Sequence, residues 1–263
     1  MVTLGIAFLA IYLAIDEVGA LAAANWGLVA ILVVIAVVFF VIFWNIESRK
    51  KDPMVTTHYL KQRRTWGLLL TTLLTMTGVF AVMNGVVPAI AQDPVMGVDM
   101  KPDMVSFATL TPYALLGLCF GPVAGVLASK FGYRSVLRAG LIVSIAGVLF
   151  GIFLSNNASI PSLVIISVVL GIAYAGTANI MLNGLGIVLS PEDNPGYLPG
   201  MNAGAFNLGA GLSFAVLYAV MDAFAMNGAQ VGYSAAMIAS AVLLGAALLV
   251  SLFIPKPSDA DNS

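Results

Sequence analysis

The chain has 263 residues, 60% of them hydrophobic and only 9% charged, with a formal net charge of −1. Soluble domains carry about 25% charged residues, so too few charges remain to build a water-facing surface. A soluble globular enzyme, a disordered segment and a nucleic-acid binder are all excluded. One Cys and one His leave no material for a disulfide framework, a zinc cluster or a Cys–His nucleophile.

What remains is an all-α polytopic membrane protein, because lipid admits only backbones that satisfy their own hydrogen bonds. The apolar runs are far longer than the ~10-residue strands of a membrane barrel. Eight spans are expected, at about 2–15, 26–46, 66–91, 105–128, 139–155, 162–183, 198–221 and 235–254. The first is short. It has no positive charge ahead of it, and Asp16 and Glu17 follow it, so it reads as a transmembrane helix clipped at its start rather than a cleaved signal.

Four segments follow from this pass: two helices within 1–46, a basic linker at 47–65, a six-helix unit at 66–254 and a polar tail at 255–263. Threading the spans with the N-terminus inside places Arg49, Lys50, Lys51, Lys61, Arg63, Arg64, Lys130, Arg134, Arg138 and Lys256 on the cytoplasmic side. Only Lys101 then lies outside, as the bias of basic residues towards the cytoplasm requires. Both termini are therefore expected in the cytoplasm of a multi-pass protein of the cell membrane, with membrane lipids as constant neighbours.

Along the third span, Asn84 precedes Gly85 and Pro88, a combination able to interrupt a helix, as transporters do near their binding sites. Tyr113 in the fourth span follows Pro112 and offers an aromatic face with a hydroxyl. Small residues at four-residue spacing mark expected contact faces: Gly117, Gly121 and Gly125; Gly147 and Gly151; Gly171 and Ala175, continuing to Asn179 and Asn183; and Gly200 and Gly204, with Asn207 and Gly211. An amide in hydrocarbon must be paired or wet, so Asn84, Asn179 and Asn207, with Tyr113, either bind helix to helix or line a cavity. Asp222 sits at an outer helix end, and no carboxylate stands out in the membrane interior. No nucleotide-phosphate loop, HExxH run or Ser–His pair is present, so neither a covalent reaction nor a cofactor or metal is expected.

Between the fourth and fifth spans, Gly125, Ser129, Lys130, Gly132 and Arg134 fall on the pattern G-x-x-x-[DS]-[RK]-x-G-x-[RK]. This resembles the signature loop of the major facilitator superfamily, with Ser129 where the stronger version has Asp. The order of helix pair, basic linker and six helices is similar to the later part of the fourteen-helix drug:proton antiporters. The resemblance implies a secondary transporter, proton-coupled, exporting drugs or other small amphipathic molecules by alternating access. It makes the Gly125–Arg134 stretch a cytoplasmic gating loop and Asn84, Tyr113, Asn179 and Asn207 candidates for the substrate cavity. It also implies a truncation, in which an N-terminal six-helix half is the missing partner. The rival reading is a non-transporting membrane module, or an inactive truncated product that needs that half.

Overall fold

The computed structural model describes residues 2–19, 24–49 and 57–256. Its long helices are α1 (Val2–Gly19), α2 (Trp26–Glu47), α3 (Arg63–Gln92), α4 (Pro102–Phe131), α5 (Tyr133–Asn156), α6 (Ile160–Val188), α7 (Tyr197–Ala225) and α8 (Ala229–Phe253). Seven of them, α2 to α8, are long and apolar enough to cross a bilayer, and α1 lies beside α2. A helical turn, Thr57–Leu60, precedes α3. Of the expected linker, 50–56 lie outside the described residues, as does the tail from 257 onward.

The first two helices form a hairpin tied at its bend. The Glu17 carboxylate accepts the Asn25 N–H at 2.8 Å, and the Asn25 side chain accepts the Leu28 N–H at 3.1 Å, capping α2. Alanines at 7, 10 and 14 are buried and let α1 approach its neighbours closely. α1 packs against α2 on one side and α7 on the other. α2 buries only Ala36, Phe43 and Glu47 among its residues, leaving a valine- and isoleucine-rich surface facing outward, as lipid allows.

α3 is the most buried helix, packed against α7 and α8. Its core residues include Leu68, Val79, Met83, Val86 and Ile90, all fully buried. A row of buried threonines threads the same helix: Thr71 donates to the Gly67 carbonyl at 2.6 Å and Thr75 to that of Thr71 at 2.7 Å. Each hydroxyl thus finds an acceptor one turn back, the usual solution for Thr in a helix. α4 pairs chiefly with α6, and α5 with α8.

The small-residue faces divide. A Cβ on Gly117 would stand 2.7 Å from the Ala175 Cβ, and one on Gly171 2.6 Å from the Tyr113 carbonyl oxygen, so α4 and α6 touch where the small residues lie. Gly147 and Gly151 likewise meet Val169 and Met237. The expected contact face of α7 is different: added Cβ atoms at Gly200, Gly204 and Gly211 meet nothing within 4 Å. The face α7 turns to the bundle carries Leu198, Asn202, Gly209, Ser213 and Leu217. Gly125 also faces open space, so the α4 stripe makes contact at Gly117 but not near the C-terminal end of the helix.

Candidate functional site

The helix interruption expected around Asn84 takes the form of a widening rather than a break. Residues Val82–Val86 form a π-helical segment, and the α-helix resumes at Val87 with Pro88 in its first turn, where a missing N–H is tolerated. Neighbouring helices support the widened stretch. The Ser213 hydroxyl on α7 accepts the Ala81 N–H at 2.8 Å, and the Ser240 hydroxyl on α8 donates to the Gly78 carbonyl. Both serines are fully buried. A second π-helical segment, Gly171–Ala178, occupies the middle of α6, where Thr177 donates to the Ile172 carbonyl five residues back at 2.8 Å. Such segments concentrate at functional sites, because they re-aim side chains and leave backbone groups in need of partners.

Asn84 is exposed and its amide donates to the Phe80 carbonyl at 2.9 Å. Asn207 is also exposed and donates to the Ala203 carbonyl at 3.0 Å. Asn179 opens the α-helical part of α6 after the π segment and accepts from the Asn183 amide at 2.9 Å, through both its carbonyl and its side-chain oxygen. These amides bond within their own helices, so their remaining donors and acceptors are directed away from helix pairing. Tyr113 is half-buried, just beyond a kink at Thr109 where Pro112 lacks the N–H that would have continued the ladder. Tyr174, almost fully buried, lies behind it, with its hydroxyl towards the Met76 sulfur of α3. The structure therefore brings Asn179 together with Asn183, and Tyr113 with Tyr174, while no hydrogen bond joins Asn84 or Asn207 to the others.

The amide that does bond between helices is one that sequence reasoning passed over. Asn202, 1% exposed, accepts from the Thr72 hydroxyl at 2.6 Å and donates to the Leu182 carbonyl at 3.3 Å, linking α3, α6 and α7. Its signal lay in its spacing: it stands four residues after Leu198 and seven before Gly209.

The turn between α4 and α5 consists of Gly132 alone, with φ of +81°. That left-handed conformation suits glycine, which carries no Cβ to collide with the carbonyl. Ser129 closes the end of α4 by donating to the Val126 carbonyl at 2.8 Å, and so bonds locally where an Asp would present a charge. Lys130 is exposed, and Arg134 sits in the first turn of α5. Nearby, the Thr57–Leu60 turn is held down by Tyr59, whose hydroxyl donates to Asp193 and whose ring lies 5.1 Å from that of Tyr197 at the start of α7. At the opposite end of the bundle, Asp93 accepts from the Val95 and Met96 N–H groups, both at 2.9 Å, and from the Tyr233 hydroxyl at 3.0 Å. These bonds, led by that from Met96, hold its carboxyl below the usual carboxylate range.

The described chain is a bundle of helices long and apolar enough to cross a membrane, two of them widened in mid-span and carrying amides that bond within their own helices. The chain matches the Major Facilitator Superfamily over residues 1–214 and again over 79–263, and it belongs to that family. It is 54% identical over 243 residues to a uridine/deoxyuridine transporter of Lactococcus lactis subsp. cremoris (strain MG1363). That match takes in 92% of this chain but 51% of the relative, so the chain spans about half the relative's length.

Proposed function

We propose that this chain forms the C-terminal half of a secondary transporter for pyrimidine nucleosides, working by alternating access against a six-helix N-terminal half. The observation that carries the reading is the 54% identity, maintained across nearly the whole chain, to a transporter of uridine and deoxyuridine. The side chains suit that cargo. A uracil edge offers alternating acceptors and a donor, and a carboxamide supplies one of each kind from a single group. Asn84, Asn179 and Asn207 are the amides assigned to this task, with Tyr113 as an aromatic neighbour for the base. Export of amphipathic drugs, expected from the resemblance to the antiporter branch, gives way to a polar cargo on this reading.

The two π-helical segments would act as the compliant points of α3 and α6, while the Gly125, Ser129, Lys130, Gly132 and Arg134 stretch gates the cytoplasmic end. Proton coupling, if this half shares in it, needs a titrating group. The six-helix unit offers no carboxylate or histidine at mid-span among the described residues, so the proposal puts that group in the other half.

The test is a chimaera that joins this chain to the N-terminal half of the Lactococcus relative, produced in cells lacking their own uridine uptake. Saturable uptake of labelled uridine, competed by deoxyuridine, is the expected result. Asn179→Leu should lower uptake about tenfold, the worth of one hydrogen bond to the cargo, at an unchanged membrane level. A correctly inserted chimaera that exports an amphipathic dye but ignores uridine would overturn the reading.

A further inference from the structure

At the end of the bundle where α4 turns into α5, Arg134, Arg138 and Lys256 line one pocket of about 340 Å3 together with Phe131, Gly132 and Ser135. No carboxylate is among its lining residues. The Nε–H groups of Arg134 and Arg138 are shut off from solvent without a hydrogen-bond partner. With each Nε–H turned inward, the remaining nitrogens of the two guanidinium groups and the Lys256 ammonium are what the pocket can present to a ligand. Arg138 is fixed in place because its terminal nitrogen donates to the Ser251 carbonyl at 3.0 Å. The start of α5 adds to the positive field, since its N-cap, Gly132, gives no side-chain oxygen to the first-turn N–H groups.

A second cavity continues from the first. An apolar groove of about 430 Å3 shares Phe131 and Ser135 with the cationic pocket and runs between α4, α5 and α6 along Leu127, Val136, Val143 and Phe120. Phe120 lies eleven residues before Phe131 on α4. At 1.5 Å of rise per residue the groove therefore descends ~16 Å, about half of a ~30 Å hydrocarbon core. That is the depth of one leaflet.

We propose that pocket and groove together form a site for one anionic glycerophospholipid, with its phosphate on Arg134, Arg138 and Lys256 and an acyl chain along the groove. A free phosphate meets the same cations but leaves the groove unused, and a zwitterionic lipid fills the groove but brings no net charge to three cations. The site shares Gly132 and Arg134 with the proposed gating stretch but none of the amides assigned to the cargo, and lipid retention is read without transport, so the two readings can fail separately.

The experiment is native mass spectrometry of the purified full chain in detergent, offered phosphatidylglycerol, phosphatidylcholine or inorganic phosphate. One phosphatidylglycerol retained in preference to phosphatidylcholine is expected, with millimolar phosphate unable to displace it. Arg134→Gln and Lys256→Gln should each weaken retention about fivefold, the contribution of one cation at a membrane surface. Val143→Trp, which fills the groove without altering charge, should weaken it too, and Lys101→Gln at the other end of the bundle should not. Lys256 stands exposed beyond α8, so its substitution keeps the test decisive even where Arg134→Gln does not fold. Equal retention of the two lipids, displacement by phosphate, or wild-type retention by the Arg134→Gln, Lys256→Gln double variant would each overturn the proposal.

Discussion

Replacing Asn202 by Leu removes the carboxamide that ties α3, α6 and α7 together, and the cost can be worked out bond by bond. The Thr72 hydroxyl loses an acceptor at 2.6 Å, and the Leu182 carbonyl loses a donor at 3.3 Å. In a soluble core, a hydroxyl stranded in this way would cost about 1–3 kcal/mol. Thr72 has a fallback, however. Thr71 and Thr75 on the same helix already donate to carbonyls one turn back, and Thr72 can rotate to that of Leu68 in the same manner. The Leu182 carbonyl lies within a helix and retains its place in the backbone ladder. What disappears is the coupling between helices, which averages about 0.6 kcal/mol per bond in a membrane bundle and reaches about 1.7. Two bonds, one of them long, give a loss of about 1–2 kcal/mol.

The assay is a double-mutant cycle with Thr72→Val, read by reversible unfolding in mixed detergent micelles. The coupling energy should come out at about 0.5–1.5 kcal/mol. Additivity within about 0.3 kcal/mol would refute the argument, because it would mean that the two side chains do not stabilise one another. A loss above about 3 kcal/mol for Asn202→Leu alone would refute the fallback, since the full penalty of an unsatisfied group would then be present.

The glycines of α7 make a matched pair of predictions. A Cβ at Gly209 would lie 2.6 Å from the Met76 Cβ and 2.8 Å from the Leu73 carbonyl oxygen. Gly209→Ala should therefore destabilise by about 1–3 kcal/mol through overpacking, whereas Gly204→Ala should be neutral or gain up to about 1 kcal/mol of helix propensity; thermal unfolding of the two variants side by side checks both. Asp93 supplies a pH dependence. Its folded pKa lies below the unfolded value, so its contribution is present above the unfolded pKa and is lost as pH falls through the folded one. As pH falls below the ordinary aspartate pKa of about 3.9, wild type should lose melting temperature more steeply than Asp93→Asn, and parallel curves for the two would remove Asp93 from the account.

Hydropathy made the spans legible, because each crossing must be apolar whatever it packs against. The helix ends were less so: α5 begins at Tyr133 rather than 139, since Arg134 and Arg138 extend the helix past its apolar part. The contact faces were harder still. α7 carries two rows of small and polar residues at similar spacing, one through Gly200 and Gly204, the other through Asn202 and Gly209. Composition does not tell them apart, and only the second turns to α3. On α6 the four-residue rule itself fails. Gly171, Ala175, Asn179 and Asn183 share a line only if every turn is α-helical, and the π-helical stretch between Gly171 and Ala178 shifts the phase. Asn202 escaped for a further reason: its partner, Thr72, lies 130 residues away in the chain.

The hairpin of α1 and α2 has a consequence for how the rest of the chain is laid down. At 1.5 Å per residue, the 18 residues of α1 reach ~27 Å, close to a full crossing, and α2 returns beside it. A segment that crosses and comes back leaves the chain on the face from which it started. On the expectation that the first span crosses, such a pair is neutral in parity: whatever follows keeps its sidedness whether the pair is present or not. Its contact with the six-helix unit runs chiefly through α1 on α7, and the Glu17–Asn25 hydrogen bond ties the end of α1 to the start of α2. With both members crossing, the pair would be a module that a six-helix half can carry without being turned over.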